Sequence, residues 1–176
     1  MSQTIVLAAG CFWCLEAIYQ RIGGIISVQS GYTGGNYPNP PYKEVCEGGT
    51  GHAESVKIKF DPTKLKLEKI LDIFWKIHDP TTLNQQGYDI GTHYRSAIFY
   101  LDSDQKEVIE KSIQHVAIPI WGNKITTEIS PLTEFYPADS SHEDFFNRNQ
   151  NHPYCQLVIN PKLKKLKDIL EITKNS

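Results

Sequence analysis

Apolar residues recur along this chain at two spacings, one typical of β-strands and the other of α-helices. Over 55–60 they alternate with serine or lysine, which predicts a half-buried strand. Over 67–77 they recur every three or four residues, which predicts a helix with one buried face. Similar patterns predict strands over 4–9, 25–32, 94–101, 125–130 and 156–159, helices over 14–22, 103–116 and 161–172, and a short aromatic helix capped by 141–144. Because strands and helices are interspersed, we expect an α+β fold with a mixed, mostly antiparallel sheet and packed helices.

The bulk composition narrows the class of protein. A chain of 176 residues is expected to form a single domain, 1–176, with a substantial core. A formal charge of −2 indicates neither a nucleic-acid partner nor a membrane-surface partner. The sequence shows no apolar run of membrane-spanning length and no signal-peptide pattern at its N-terminus, so the expected location is cytoplasmic.

The junction between the first predicted strand and the first predicted helix carries two cysteines, Cys11 and Cys14. Gly10 permits a sharp turn there, which places Cys11 at or just before the helix N-terminus. Unpaired N–H groups and the helix dipole favour the thiolate, which is the nucleophilic form. Two alternatives stay open, because buried cysteines are often inert and C-x-x-C is half of many zinc sites. Phe12 and Trp13 would either anchor the core or line an apolar substrate pocket.

Glu54 has the parity of the apolar residues in its predicted strand. A carboxyl group at the start of a buried face is partly desolvated, which raises its pKa and keeps it protonated nearer neutral pH. That environment suits a general acid. The alternative is a strand-end glutamate that reaches water or pairs with a lysine, and the pattern alone does not decide between the two.

A long predicted loop over 33–51 is rich in Gly, Pro and Asn, and it carries Tyr42 and Cys46 before ending near His52. Loops of this length are uncommon in compact domains unless they are functional, although a disordered linker is the alternative. Cys46 and His52 could join the first two cysteines in a zinc site. Their spacing fits no common zinc motif, so we predict no metal site.

Eight short motifs follow one another along the first half of the chain. They are Gly10-Cys11-Phe12-Trp13, Gly31-Tyr32-Thr33-Gly34-Gly35, Pro38-Asn39-Pro40-Pro41-Tyr42, Glu44-Val45-Cys46, Gly51-His52-Ala53-Glu54, Phe74-Trp75, His78-Asp79-Pro80 and Gly91-Thr92-His93-Tyr94-Arg95-Ser96. Together, and in this order, they resemble the peptide methionine sulfoxide reductases of the A type. The resemblance runs from residue 5 to about residue 137 and fades toward the C-terminus.

This resemblance implies a ferredoxin-like two-layer α/β core and no metal or organic cofactor. It also implies reduction of the S epimer of methionine sulfoxide, free or in proteins, as repair after oxidative damage. By motif position, Cys11 is expected to be the nucleophile, and Phe12 and Trp13 are expected to hold the methyl group of the substrate.

The same motif positions imply that Glu54, Tyr42 and Tyr94 bind the sulfoxide oxygen and that Asp89 is a supporting acid. The chemistry requires such groups, because a sulfoxide oxygen leaves poorly as a bare anion and must take a proton while the thiolate attacks sulfur. We therefore expect Glu54 to donate the proton and Cys11 to become a sulfenic acid.

A second cysteine is then expected to form a disulfide that thioredoxin reduces. Cys14 is the predicted partner, because C-x-x-C at a helix start brings two thiols together with little loop-ordering entropy. Cys155 is the alternative or a second relay, although the strand predicted over 156–159 would hold it in place. Cys46 is interpreted as a packed loop residue.

Two other classes of protein remain possible from the sequence. A thioredoxin-like disulfide exchanger would use Cys11 and Cys14 but would not need Glu54 or the tyrosines. A zinc-dependent binding module would use the cysteines without catalysis.

Overall fold

The computed structural model describes residues 1–175. Its main sheet consists of β1 (Gln3–Ala9), β2 (Ile25–Thr33), β3 (Ala53–Phe60), β6 (Ser96–Tyr100), β7 (Glu128–Pro131) and β8 (Tyr136–Pro137), while β4 (Gln85–Gln86) and β5 (Asp89–Ile90) form a separate hairpin. The α-helices are α1 (Phe12–Tyr19), α2 (Tyr42–Cys46), α3 (Leu67–Ile77), α4 (Ser103–Ser112), α5 (Ile118–Trp121), α6 (Phe145–Arg148) and α7 (Asn160–Lys174).

The main sheet has the strand order β7-β6-β1-β3-β2-β8. Its neighbouring strands are antiparallel except β6 and β7, which are parallel. The elements β1, α1, β2, β3, α3 and β6 follow one another as the βαββαβ unit of the ferredoxin-like fold. The expected α+β class with a mixed, mostly antiparallel sheet and packed helices is confirmed.

The hydrophobic core lies mainly between one face of the sheet and the helices α1, α3 and α7. Along β3 the side chains of Val56, Ile58 and Phe60 are fully buried on this face, as their alternation predicts. Glu54 has the same parity, so its carboxyl group also points toward the helical layer. The opposite face carries a smaller cluster around Phe99, covered by Leu132 and Phe135.

The prediction of a strand over 156–159 is wrong. The structure has a π-helical turn at Cys155–Ile159 that runs directly into α7. Cys155 and Ile159 are fully buried, whereas Leu157 between them is 77% exposed. Burial four residues apart is helical spacing, and a strand would have placed all three side chains on one face. The segment 156–159 is too short for its apolar residues to distinguish helical spacing from strand spacing.

Several element boundaries also differ from the sequence-based ones. The helix predicted over 103–116 continues through a π turn at Ile113–Ala117 into α5, so the chain is helical from Ser103 to Trp121. The loop predicted over 33–51 contains α2 and is ordered. Asp144 precedes α6 with a positive φ of 52°, and its side chain accepts a hydrogen bond from the Asn147 amide instead of capping the backbone. Within residues 1–175, no helix is long and apolar enough to cross a membrane.

Candidate active site

The turn between β1 and α1 places Cys11 at the edge of the helical layer. Gly10 has a φ of +86°, and a Cβ atom there would lie 2.8 Å from the side chain of Gln86. Glycine is therefore required at this turn, both for its backbone conformation and for its close approach to the hairpin. Cys11 is the N-cap residue of α1 and is only 7% exposed.

Burial raises the pKa of the Cys11 thiol well above its ordinary value. A hydrogen bond to Cys14 and the charge of Glu54 raise it further, while the backbone N–H of Trp13 lowers it. The expectation that the helix N-terminus makes this thiol more acidic is wrong, because burial outweighs the helix terminus. A helix terminus contributes about 0.3–1 kcal/mol, less than one pKa unit, whereas full burial can shift a pKa by about 3–5 units.

Cys14 is the more acidic thiol of the pair. The hydrogen bond that it accepts from Cys11 lowers its pKa to about 7, against the effect of burial. The positive charge of Lys162 and a contact of 3.6 Å between Cys14 Sγ and the hydroxyl of Tyr154 lower it as well. The pKa shifts of the two thiols are therefore opposite, because the pKa of Cys11 is raised and that of Cys14 is lowered.

Glu54 lies opposite Tyr32 in the pairing of β3 with β2, and it is 1% exposed. Its Oε1 accepts a hydrogen bond of 3.2 Å from the backbone N–H of Phe12, the residue after Cys11. Its Oε2 is buried and has no hydrogen-bond partner within residues 1–175. Burial raises the pKa of this carboxyl group to about 8, so it is protonated at neutral pH. The alternative of a solvent-exposed strand-end glutamate is wrong.

Three tyrosines surround this carboxyl group. Burial and the charge of Glu54 raise the pKa values of Tyr32, Tyr42 and Tyr94, so each phenol keeps its proton and can donate a hydrogen bond. Tyr42 begins α2, and Tyr94 ends the 3-10 turn Thr92–Tyr94 before β6. The sequence analysis selected Tyr42 and Tyr94 but missed Tyr32, whose buried hydroxyl is unpartnered in the described part of the chain.

An aromatic wall flanks the two cysteines. Trp13 stacks on Phe145 with ring centroids 3.6 Å apart, and its Nε1–H donates a hydrogen bond of 3.1 Å to Nδ1 of His142. Phe12 is fully buried and its ring contacts Tyr42 and His142. Trp13, which is half-buried, therefore offers the more accessible aromatic surface, whereas Phe12 is a core residue.

Tyr154 connects the hairpin to the thiol pair. Its hydroxyl donates a hydrogen bond of 2.6 Å to Oδ2 of Asp89 and lies beside Cys14 Sγ. Asp89 is therefore connected to Cys14 through the hydroxyl of Tyr154, and the two residues share no direct hydrogen bond within residues 1–175. The positive charge of Lys162, at the start of α7, also acts on the thiol pair by lowering the pKa of Cys14.

Cys155 is fully buried in the same core as Cys14, and burial raises its pKa. Cys46, at the end of α2, is only partly buried, with its thiol hydrogen-bonded to Tyr42. It is one of three residues, with Glu54 and His93, whose potential metal-ligand atoms lie within 4.8 Å of one another. The zinc set considered from the sequence does not form, because both ring nitrogens of His52 are bonded to backbone atoms of the loop.

The C-terminal contributors, His142, Phe145 and Tyr154, were missed by the sequence analysis. Each contacts a residue near Cys11 across more than a hundred positions, so no local pattern links them. The only available signal was the density of aromatic residues over 135–154.

Comparison with known proteins identifies the family. The profile of the family described as Peptide methionine sulfoxide reductase matches residues 3–174. The peptide methionine sulfoxide reductase MsrA of Saccharolobus solfataricus is 50% identical over 163 residues, which cover 93% of this chain and 92% of that protein.

Two solved structures show the same fold. Mxr1 from Saccharomyces cerevisiae in reduced form superposes with a TM-score of 0.82 and 36% identity, covering 88% of this chain and 89% of that one. The same protein in complex with Trx2 superposes with a TM-score of 0.59 and 27% identity, covering 82% and 84%. The chain therefore belongs to the A-type peptide methionine sulfoxide reductase family and is a peptide-methionine (S)-S-oxide reductase, an oxidoreductase that reduces methionine sulfoxide.

Proposed function

We propose that this enzyme reduces methionine S-sulfoxide through a sulfenic acid on Cys11, with Glu54 as the proton donor. The observation that carries the proposal is the Oε2 atom of Glu54. It is buried, protonated at neutral pH and without a hydrogen-bond partner among the described residues, next to the cysteine that begins α1. A buried donor with no acceptor is unfavourable unless a ligand supplies one. A sulfoxide oxygen is such an acceptor.

In the first step, the Cys11 sulfur attacks the sulfoxide sulfur while Glu54 protonates the oxygen. The attack forms an S–S bond to the substrate. As the sulfoxide S–O bond breaks, the hydroxyl group transfers to the Cys11 sulfur, the S–S bond breaks and methionine leaves. The sulfoxide sulfur is reduced by two electrons and the cysteine sulfur is oxidised by two. Tyr42 and Tyr94 stabilise the oxygen by donating hydrogen bonds.

The proton of the Cys11 thiol passes to Cys14 in this scheme. The hydrogen bond between the thiols provides the path, and a base with a pKa of about 7 is well matched to neutral pH. Such a transfer is required in this proposal, because the nucleophile must be a thiolate whereas burial raises the pKa of the Cys11 thiol.

Substrate binding is assigned to the aromatic wall. Trp13 presents its half-buried ring surface for the methyl group, and Phe12 is buried against Tyr42 and His142. Asp89 acts as the supporting acid by holding the hydroxyl of Tyr154 near the thiol pair.

Cys14 then attacks the sulfenic sulfur of Cys11, a disulfide forms and the oxygen leaves as water. Cys14 is favoured over Cys155 because it already exchanges a hydrogen bond with Cys11 and its pKa is lowered, whereas burial raises that of Cys155. Cys155 also belongs to a helical turn packed in the core, so it would have to leave that turn to react. It remains the second candidate for a relay.

Thioredoxin is the proposed reductant of this disulfide, supported by the structural similarity to Mxr1 in its complex with Trx2. The scheme uses only side chains of this chain and thioredoxin, without metal or organic cofactor. Protein-bound and free methionine sulfoxide are the proposed substrates, in the repair of oxidised proteins.

We infer a cytoplasmic location, because free thiols persist in reducing compartments. We also infer a single domain, because the main core joins residues from β1 to α7.

The test is a reaction of reduced enzyme with methionine S-sulfoxide in the absence of reductant. One methionine per enzyme and a Cys11–Cys14 disulfide in peptide maps are expected, followed by reduction of that disulfide on addition of thioredoxin. A disulfide between Cys11 and Cys155 as the main product would overturn the assignment of Cys14. Resistance of the disulfide to thioredoxin would overturn the proposed reductant.

A further inference from the structure

Cys46, Glu54 and His93 come together from three separate elements beside the active site. They lie at the end of α2, in β3 and in the 3-10 turn before β6. One potential ligand atom from each residue lies within 4.8 Å of the other two. The reaction proposed above uses Glu54 but gives no task to Cys46 or His93.

Two of these three residues are nearly fully buried and have a polar atom without a partner. Glu54 is 1% exposed and His93 is 5% exposed. Oε2 of Glu54 and Nδ1 of His93 make no hydrogen bond within the described 175 residues. Buried polar atoms are seldom left unpaired, so two residues that carry such atoms and meet in one cluster point to a ligand between them.

We propose that Cys46, Glu54 and His93 bind a Zn²⁺ ion and that the bound ion inhibits the reductase. A thiolate, an imidazole and a carboxylate are the ligand types that zinc prefers, whereas Mg²⁺ and Ca²⁺ prefer oxygen ligands. A thiolate and a carboxylate also neutralise the charge of the ion, which favours its burial.

The geometry requires a small contraction of the cluster. Zinc–ligand distances of about 2.0–2.3 Å in a tetrahedral site place the ligand atoms about 3.3–3.7 Å apart. The three ligand atoms lie within 4.8 Å of one another, so no pair has to close by more than about 1.5 Å. Cys46 is the only partly buried member and ends the short helix α2, so its side chain is the one with room to move.

Inhibition follows from the role of Glu54. A carboxylate bound to zinc has lost its proton and cannot donate one to the sulfoxide oxygen. The inhibitory effect therefore rests on the proposed function of Glu54, whereas binding of the ion does not. The two parts need separate measurements.

Binding is tested in the double variant Cys11→Ser, Cys14→Ser, which removes the competing dithiol. Equilibrium dialysis with Zn²⁺ is expected to give one bound ion per chain, and Co²⁺ in its place should give a sulfur-to-cobalt charge-transfer band. Adding Cys46→Ser should abolish the band and weaken zinc binding at least tenfold, while adding His115→Ala, an exposed histidine outside the cluster, should change neither. Loss of zinc binding in the double variant itself would overturn the site in favour of Cys11 and Cys14.

Inhibition is tested in single turnovers without thiol reductants, because these chelate zinc. One equivalent of Zn²⁺ should slow methionine formation at least tenfold in the otherwise unchanged enzyme. Cys46→Ser keeps a hydroxyl partner for Tyr42 and should retain the basal rate but resist this zinc concentration; His93→Gln is a second variant with the same expected resistance. Equal inhibition of both variants would overturn the proposal. Zinc binding at the cluster without inhibition would instead count against Glu54 as the acid.

Discussion

Helix α1 separates two regions that each bury a glutamate. On one side, Glu54 from β3 is 1% exposed and bonds to the backbone N–H of Phe12 through Oε1 only. On the other, Glu16 of α1 itself is 2% exposed, yet both of its oxygens are bonded. Its Oε1 accepts from the backbone N–H of Phe145 at 3.2 Å, and its Oε2 accepts from the hydroxyl of Ser30 at 3.4 Å. Burial raises the pKa of both carboxyl groups.

The comparison shows that burial and a raised pKa do not by themselves make a glutamate a catalytic acid. Glu16 fastens α6 to α1 and so holds Phe145 against Trp13. Glu54 bonds only to the backbone N–H of Phe12 at the start of α1, and its second oxygen is left for a ligand. The feature that separates the structural glutamate, Glu16, from the proposed catalytic acid, Glu54, is the unpaired polar atom.

The largest expected effect concerns the proposed nucleophile. Cys11→Ser should abolish sulfoxide reduction, including the first turnover, because a serine hydroxyl is not a nucleophile here without a strong base. Quenched-flow measurement of methionine formation checks this, with circular dichroism confirming the fold. Methionine formation at a substantial rate would move the nucleophile to another cysteine.

The next effect separates the two cysteines of α1. Cys14→Ser should reduce thioredoxin-dependent activity to a single turnover, because the sulfenic acid on Cys11 then lacks its partner. The first turnover should persist at a lower rate, since serine is a weaker proton acceptor than a thiol whose pKa is about 7. Mass spectrometry after trapping with a sulfenic-acid reagent measures the intermediate. Normal steady-state turnover by this variant would assign resolution to Cys155.

Replacing each glutamate by glutamine tests the comparison directly. Glu54→Gln keeps an oxygen for the Phe12 N–H but loses the transferable proton, so the single-turnover rate should fall by roughly 10²-fold or more. The loss should shrink at low pH, where solvent can protonate the substrate. Glu16→Gln should keep the rate within about threefold, because Glu16 donates no proton in the reaction. Equal losses in the two variants would contradict the distinction between them.

Prediction from sequence succeeded where the relevant information is local. The alternation over 55–60 predicted β3 and placed Glu54 on its buried side, and the Gly10 turn predicted a cysteine at the start of α1. The same local argument gave the wrong direction for the Cys11 pKa, because burial depends on segments far along the chain. The helical turn at Cys155–Ile159 was missed for a similar reason, since four apolar residues fit either periodicity.

The surroundings of Cys14 could not be predicted in this way. Lys162, Tyr154 and His142 reach the site from the C-terminal third, and only the packing of α6 and α7 against α1 brings them there. The motifs that identify the family end before this segment. Local pattern and motif therefore select the proposed acid and the proposed nucleophile, whereas tertiary packing sets their pKa values.

A smaller effect concerns stability and its dependence on pH. The pKa of Glu54 is raised to about 8 in the folded chain, so folding favours the protonated group. This contribution is fully present below the ordinary carboxyl pKa and is lost as pH rises through about 8. The free energy of unfolding of Glu54→Gln, relative to that of the unchanged enzyme, should therefore be higher at pH 9 than at pH 6. This gain in stability is opposite in sign to the loss of activity. Urea unfolding at the two pH values measures this, and a gain that is the same at both would contradict the raised pKa.

The smallest expected effect lies at Tyr154, where the two regions around α1 meet the hairpin. Its hydroxyl contacts Cys14 Sγ at 3.6 Å and bonds to Asp89 at 2.6 Å, and the contact with Cys14 lowers the pKa of that thiol. A single hydrogen bond contributes about 0.5–1.5 kcal/mol, so Tyr154→Phe should slow disulfide formation about twofold to tenfold at neutral pH. The pH profile of that step should shift upward as the Cys14 pKa rises.

The measurement follows disulfide formation after a single turnover at several pH values, with the first step recorded separately. Formation of methionine should change less than formation of the disulfide, because the Tyr154 hydroxyl contacts Cys14 and not Glu54. Tyr88→Phe is the matched control, since Tyr88 lies on the same hairpin as Asp89 and is fully exposed. An unshifted profile in Tyr154→Phe would mean that this hydroxyl only anchors the hairpin, and that Lys162 and Cys11 alone set the acidity of Cys14.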